Sequence, residues 1–120
     1  MTTVARGTHS DIMEPREVVV RSLDDWRALW KAHGSSQPPP SVDFSRSMVV
    51  AVFLGERPTA GYEVEITAVK AQGGRAVVEY VERRPAPDAL VAQVLTSPFH
   101  IVSLSRSAGT PEFRKIESPR

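Results

Sequence analysis

Met48-Val49-Val50-Ala51-Val52-Phe53-Leu54 is an uninterrupted apolar run, and its reading decides the fold. It is short for a helix and rich in β-branched residues, so it predicts a strand covered on both faces. That places it at the centre of a sheet. Working outward, Tyr62, Val64 and Ile66 alternate with Glu63, Glu65 and Thr67, the period of a strand wetted on one side. A turn at Gln72-Gly73-Gly74 leads into Ala76–Glu82, which predicts a hairpin.

On the other side of the central run, Arg16-Glu17-Val18-Val19-Val20-Arg21 suits a strand, and Ile12 with Met13 could begin an earlier one. Residues 4–14 carry no clean period. Ser22 followed by Asp25 is a helix start, because hydroxyl and carboxylate satisfy first-turn amides that have no helical partner. Leu23, Trp26, Leu29 and Trp30 then form one apolar face, and Gly34 offers a C-terminal cap. A helix is expected over about residues 23–33, its indoles packed on a sheet. Gln37-Pro38-Pro39-Pro40 cannot continue it and reads as a stiff crossing loop.

Later in the chain, Arg83-Arg84-Pro85-Ala86-Pro87-Asp88 breaks the strand pattern, and Ala89–Leu95 is equally compatible with a helical turn and an extended segment. His100–Ser105 predicts another strand. Pro111–Ile116 predicts a last edge strand, with proline tolerated at its start, and such an edge could support a homodimer. The expected architecture is α+β: a twisted, mainly antiparallel β-sheet, barrel- or sandwich-like, packed by one tryptophan-bearing α-helix.

Composition narrows the function classes. The chain has 120 residues, enough for a single domain over 1–120 and too few for two ordinary ones. Lys+Arg total 15 against Asp+Glu 14, and the basic residues are scattered, which argues against nucleic acid as a partner. With Cys 0, disulfides, thiolate metal sites and cysteine nucleophiles are excluded. No apolar run approaches a membrane span and no secretory signal is visible, so a cytoplasmic location is expected as written, or export if a leader has been removed.

Gly55-Glu56-Arg57-Pro58-Thr59-Ala60-Gly61-Tyr62 is the stretch most suggestive of a site. Gly55 and Gly61 can take backbone conformations closed to other residues, Pro58 fixes a dihedral, and Arg57 and Thr59 supply donors. A rigid loop held between strands suits recognition. The expected edge comprises Arg57, Pro58, Thr59, Gly61 and Tyr62, flanked by Ser97-Pro98-Phe99, with Arg57 as charge anchor, Thr59 as donor and Phe99 as apolar contact. A small anionic ligand at Arg57 and the loop amides is the competing expectation.

No catalytic residue, metal ligand or cofactor is assigned. His9, His33 and His100 lack metal-ligand spacing. Ser97, His100 and Asp88 could be composed into a triad, but no nucleophile-elbow motif supports it. Glu63, Glu65, Glu79 and Glu82 read as a solvated hairpin face rather than an acid–base pair.

Trp26-Arg27-Ala28-Leu29-Trp30, Val42-Asp43-Phe44, Met48–Gly55, Arg57-Pro58-Thr59-Ala60-Gly61-Tyr62 and Thr96-Ser97-Pro98-Phe99-His100 together resemble the PrcB C-terminal domain family, over roughly residues 9–113. The most specific part is the Arg-Pro-Thr-x-Gly-Tyr loop. That family's name comes from a subunit associated with the stability of a bacterial protease complex. The resemblance therefore implies a noncatalytic, β-rich accessory or binding domain, often in exported proteins, with a protein partner for which a protease is one candidate. Pro58-Thr59-Ala60-Gly61-Tyr62 is also similar to a loop of chagasin-like cysteine-protease inhibitors, with Ser97-Pro98-Phe99 as the counterpart of a second inhibitory loop.

Overall fold

In the computed structural model, which describes residues 1–117, two sheets stack face to face and a helix covers one of them. The strands are β1 (Thr2–Gly7), β2 (Arg16–Val20), β3 (Ser47–Phe53), β4 (Glu63–Gln72), β5 (Arg75–Arg83), β6 (Phe99–Ser105) and β7 (Glu112–Lys115). The helix α1 spans Leu23–His33. One sheet has the order β1-β6-β3-β2 and the other β4-β5-β7. All pairings are antiparallel except β5 with β7. The arrangement is a sandwich of two sheets and closes no barrel.

The apolar run becomes β3, an interior strand of its sheet, and its two faces serve two cores. Met48, Val50, Val52 and Leu54 pack against Val64, Ile66, Val78 and Tyr80 of the second sheet. Val49, Ala51 and Phe53 pack against Trp26, Leu29 and Trp30 of α1. An unbroken apolar sequence is what a strand between two hydrophobic layers requires.

The helix forms where its caps and stripe predict. Ser22 Oγ accepts the Asp25 amide at 3.2 Å, and Gly34, at φ 84°, returns its amide to the Trp30 carbonyl. Both indoles are buried, and each donates into the proline tract, Trp26 Nε1 to Pro40 O at 2.9 Å and Trp30 Nε1 to Gln37 O at 2.8 Å. Those carbonyls are three residues apart, one turn of a polyproline helix, so both can face α1.

The N-terminal expectation needs correction. Ile12 and Met13 are not in a strand; the first strand is Thr2–Gly7, an edge whose place is set by pairing with β6 rather than by its own pattern. Ile12 is nonetheless buried beneath α1. In β4, a register shift between Ile66 and Ala68 interrupts the simple alternation. Ala89–Leu95 is neither helix nor strand. The single-domain reading over 1–120 includes residues 118–120, which lie outside the described residues.

Candidate functional site

The chain leaves β3 at the mouth of the sandwich and crosses to β4 through Leu54–Tyr62. Gly55 and Gly61 have φ of 80° and 95°. At Gly61 a Cβ atom would also stand 2.9 Å from Pro85 Cβ, so both conformation and space call for glycine. The loop is tied on two sides. Glu56 N–H donates to Met13 O at 3.0 Å, while Arg57 and Thr96 exchange backbone bonds of 2.7 and 2.9 Å. Ala60 N–H donates to Ala92 O at 3.0 Å, and Thr96 Oγ1 donates to Thr59 O at 2.9 Å.

Arg57 is where the structure departs most from the expected site. Its Nε and Nη2 grip the two oxygens of Glu82 at 2.8 and 3.2 Å, and Nη1 donates to Leu54 O and Glu56 O. Glu82 follows Ala76, Val78 and Tyr80 on the inward face of β5, and its side chain is only 3% exposed. Lys115 Nζ lies 3.0 Å away and Arg84 Nε 3.9 Å away. Burial by itself would raise the Glu82 pKa; the hydrogen bonds and charges of Arg57 and Lys115 outweigh it and hold it at about 2. Arg57 thus closes the end of the core. The Glu82 carboxylate occupies the position in which an external anion would meet this guanidinium, so Arg57 is not a free charge anchor.

The other expected residues divide between surface and interior. Pro58 and Gly61 are exposed, and Thr59 and Tyr62 are half-buried. Thr59 Oγ1 donates to the neighbouring Ala60 carbonyl at 2.8 Å. Ser97 is buried, its Oγ accepting the Ser10 amide at 2.7 Å and donating to the Ser10 carbonyl at 2.6 Å. Phe99, 6% exposed, stacks near Phe53 and meets the His33 ring edge-on at 4.3 Å. Ser97 and Phe99 are therefore interior supports and do not form the expected outward flank, because β6 begins under the α1 layer.

What flanks the loop instead is the strap between β5 and β6, residues 84–98. Leu90, Val94 and Leu95 project from it with exposures of 102%, 50% and 62%, whereas Leu29, Leu54 and Leu104 are buried. The sequence signal was present in the apolar composition of Ala89–Leu95, but no period revealed its direction.

The buried histidines are committed to structure. His33 Nδ1 lies 2.8 Å from Ser10 Oγ, and burial lowers its pKa against an opposing pull from Asp11. His100 Nδ1 accepts the Ile66 amide at 2.8 Å, so Nε2 carries the proton that faces Thr3 Oγ1 at 2.9 Å. Burial, then Arg6, lowers its pKa. Ser97, His100 and Asp88 do not assemble into a triad: Ser97 and His100 have these other partners, and Asp88 is exposed on the strap. Glu63, Glu65 and Glu79 pair with Arg6, Arg83 and Lys70, while Glu82 is interior rather than solvated. Among the described residues no group of three or more His, Cys, Asp or Glu could hold a metal ion, and no helix is long and apolar enough to cross a membrane.

Residues 48–105 match the family described as PrcB C-terminal. The match runs from β3 through β6 and includes the loop and strap, supporting the resemblance read from Met48–Gly55, Arg57–Tyr62 and Thr96–His100. No curated protein and no solved structure matches the chain, and the chagasin-like similarity is not shown.

Proposed function

On the strength of the PrcB C-terminal family domain carried by residues 48–105, we propose that this chain is a noncatalytic, protein-binding accessory domain of a protease-associated complex. The Gly55–Tyr62 loop and the strap beside it form the recognition edge. One observation carries the assignment: Leu90 and Val94 stand in solvent on a segment fixed to the loop through Ala92 and Thr96. Exposing aliphatic side chains on an anchored backbone lowers the ordering cost of association and supplies apolar contact area. Arg57 serves this edge indirectly, by fixing the backbone that presents Pro58 and Gly61.

The test is affinity capture from a lysate of the organism that makes the protein, read by mass spectrometry, with wild type beside Leu90→Ser/Val94→Ser. Both side chains are exposed, so folding should survive, as circular dichroism and thermal unfolding would verify. Selective loss of a protease or protease-associated protein supports the proposal. Identical capture by the two proteins refutes the strap as the recognition edge.

A further inference from the structure

A cleft of about 510 Å³ opens between the N-terminal segment, the end of α1 and the beginning of β6. Its size lies within the range of about 300–1,000 Å³ typical of ligand pockets. Met13 and Leu95, 54% and 62% exposed, form apolar lips. His33, Ser97 and Phe99 line its interior and are fixed by the contacts already described.

The lining of this cleft carries two carboxylates and no fixed positive charge. Asp11 and Glu56 line it, and neither carboxylate has a salt-bridge or side-chain hydrogen-bond partner among the described residues. Glu63, Glu65, Glu79, Glu82 and Glu112 each meet a lysine or arginine, while Glu14, Asp24, Asp25 and Asp88 are as unpaired as Asp11 and Glu56 but do not line this cleft. No lysine or arginine lines this cleft, although the chain has 15 of them. Its remaining ionisable lining groups are His9 and His33. Two like charges beside a low-dielectric wall favour a cationic occupant.

We propose that the cleft receives a short extended peptide segment of a partner protein, with an arginine or lysine facing Asp11 and Glu56 and an adjacent aliphatic side chain between Met13 and Leu95. This rests on the protein-binding reading and specifies the partner's chemistry at its loop, since Glu56 belongs to Gly55–Tyr62. The basic side chain matches the two carboxylates, and its aliphatic neighbour covers the lips. The site performs recognition without a bond-making step.

The inference is tested by NMR titration of the whole ¹⁵N-labelled chain with Ac-Ala-Arg-Leu-Ala-NH2 and, separately, Ac-Ala-Glu-Leu-Ala-NH2. The arginine peptide should shift the amides of Ser10, Glu56, Leu95 and Ser97, and the glutamate peptide should leave them in place. Asp11→Asn/Glu56→Gln should weaken the arginine peptide roughly tenfold, the effect of losing two exposed charge contacts, and about 0.5 M NaCl should weaken its binding to wild type. No shifts at these amides, equal response to both peptides, or unchanged affinity in the double variant overturns the inference. Leu90→Ser/Val94→Ser keeps the two readings separable because neither residue lines the cleft. A partner lost by that variant while the arginine peptide fails to bind wild type leaves the strap standing and removes the cleft proposal.

Discussion

Replacing Arg57 by alanine should cost stability before it affects any partner. The substitution removes both bonds to Glu82 and the Nη1 contacts to Leu54 O and Glu56 O, leaving Lys115 at 3.0 Å as the nearest remaining cation. Holding Glu82 at about 2 instead of the ordinary 4.5 corresponds to about 3 kcal/mol in favour of the ionised folded form. Arg57 supplies the larger share of the hydrogen bonds, so about 2 kcal/mol of that should go with it. The lost carbonyl contacts bring the expected loss to about 2–4 kcal/mol, in line with breaking a buried pair from one side.

Urea unfolding across pH provides the assay. Because the folded pKa is depressed, the stabilisation from Glu82 is present above the unfolded value near 4.5 and is lost as pH falls through about 2. Wild type should lose stability across that window, and Arg57→Ala should begin lower at pH 7 and decline less steeply. Adding Glu82→Gln to Arg57→Ala should recover part of the loss by removing the uncompensated charge. A loss below about 0.5 kcal/mol at pH 7, with an unchanged acid profile, would refute the assignment of Arg57 as the closure of the core.

Gly61→Val combines a φ of 95° with a Cβ position 2.9 Å from Pro85, and thermal unfolding should report a loss of about 2 kcal/mol or more. His33 and His100 are both held neutral by burial, so the unfolded chain binds more protons below the ordinary value of 6.5. Urea stability should therefore be retained above about pH 6.5 and decline on acidification below it, with His100→Gln reducing that slope. Trp30→Phe keeps an aromatic ring but removes the donor to Gln37 O; equilibrium unfolding should show a cost of about 1–2 kcal/mol.

Much of the fold was legible because short-range signals agreed with the final layers. Ser22, the buried Trp26, Leu29 and Trp30 and the Gly34 cap define α1, although Leu23 of the expected face is exposed, while the apolar sequence of β3 anticipates its double coverage. The Gly73-Gly74 turn, both residues at positive φ, joins β4 to β5 as expected. β1 was illegible because an edge strand borrows its position from β6, and the parallel pairing of β5 with β7 depends on segments distant in sequence.

The site was less legible because donors do not announce their acceptors. Arg57 looked available for a ligand until Glu82 was placed opposite it. A signal did exist: Ala76, Val78, Tyr80 and Glu82 share one parity, so a strand that turns its even residues inward carries a carboxylate into the core and needs a cation there. The same reasoning places His100 with Val102 and Leu104 on the intersheet face. For Ser97 and Phe99, sequence proximity to a distinctive motif gave no information about depth. For Leu90 and Val94 the undecided pattern of Ala89–Leu95 carried no direction, and only tertiary placement shows them outside.

The anchoring of the strap also bears on how its length can change. Ala92 and Thr96 fix its later part to the loop, and the Ala89 amide bonds to Ala86 O in a local turn, but Leu90 stands clear of the body. Loop-closure entropy grows only logarithmically, at about 0.6 kcal/mol for each doubling of length. Residues inserted between Asp88 and Leu90 would lengthen the projection while leaving both sheets, the Arg57–Glu82 closure and the Thr96 bridge in place. The strap is thus a position at which chain length can diversify at little thermodynamic cost.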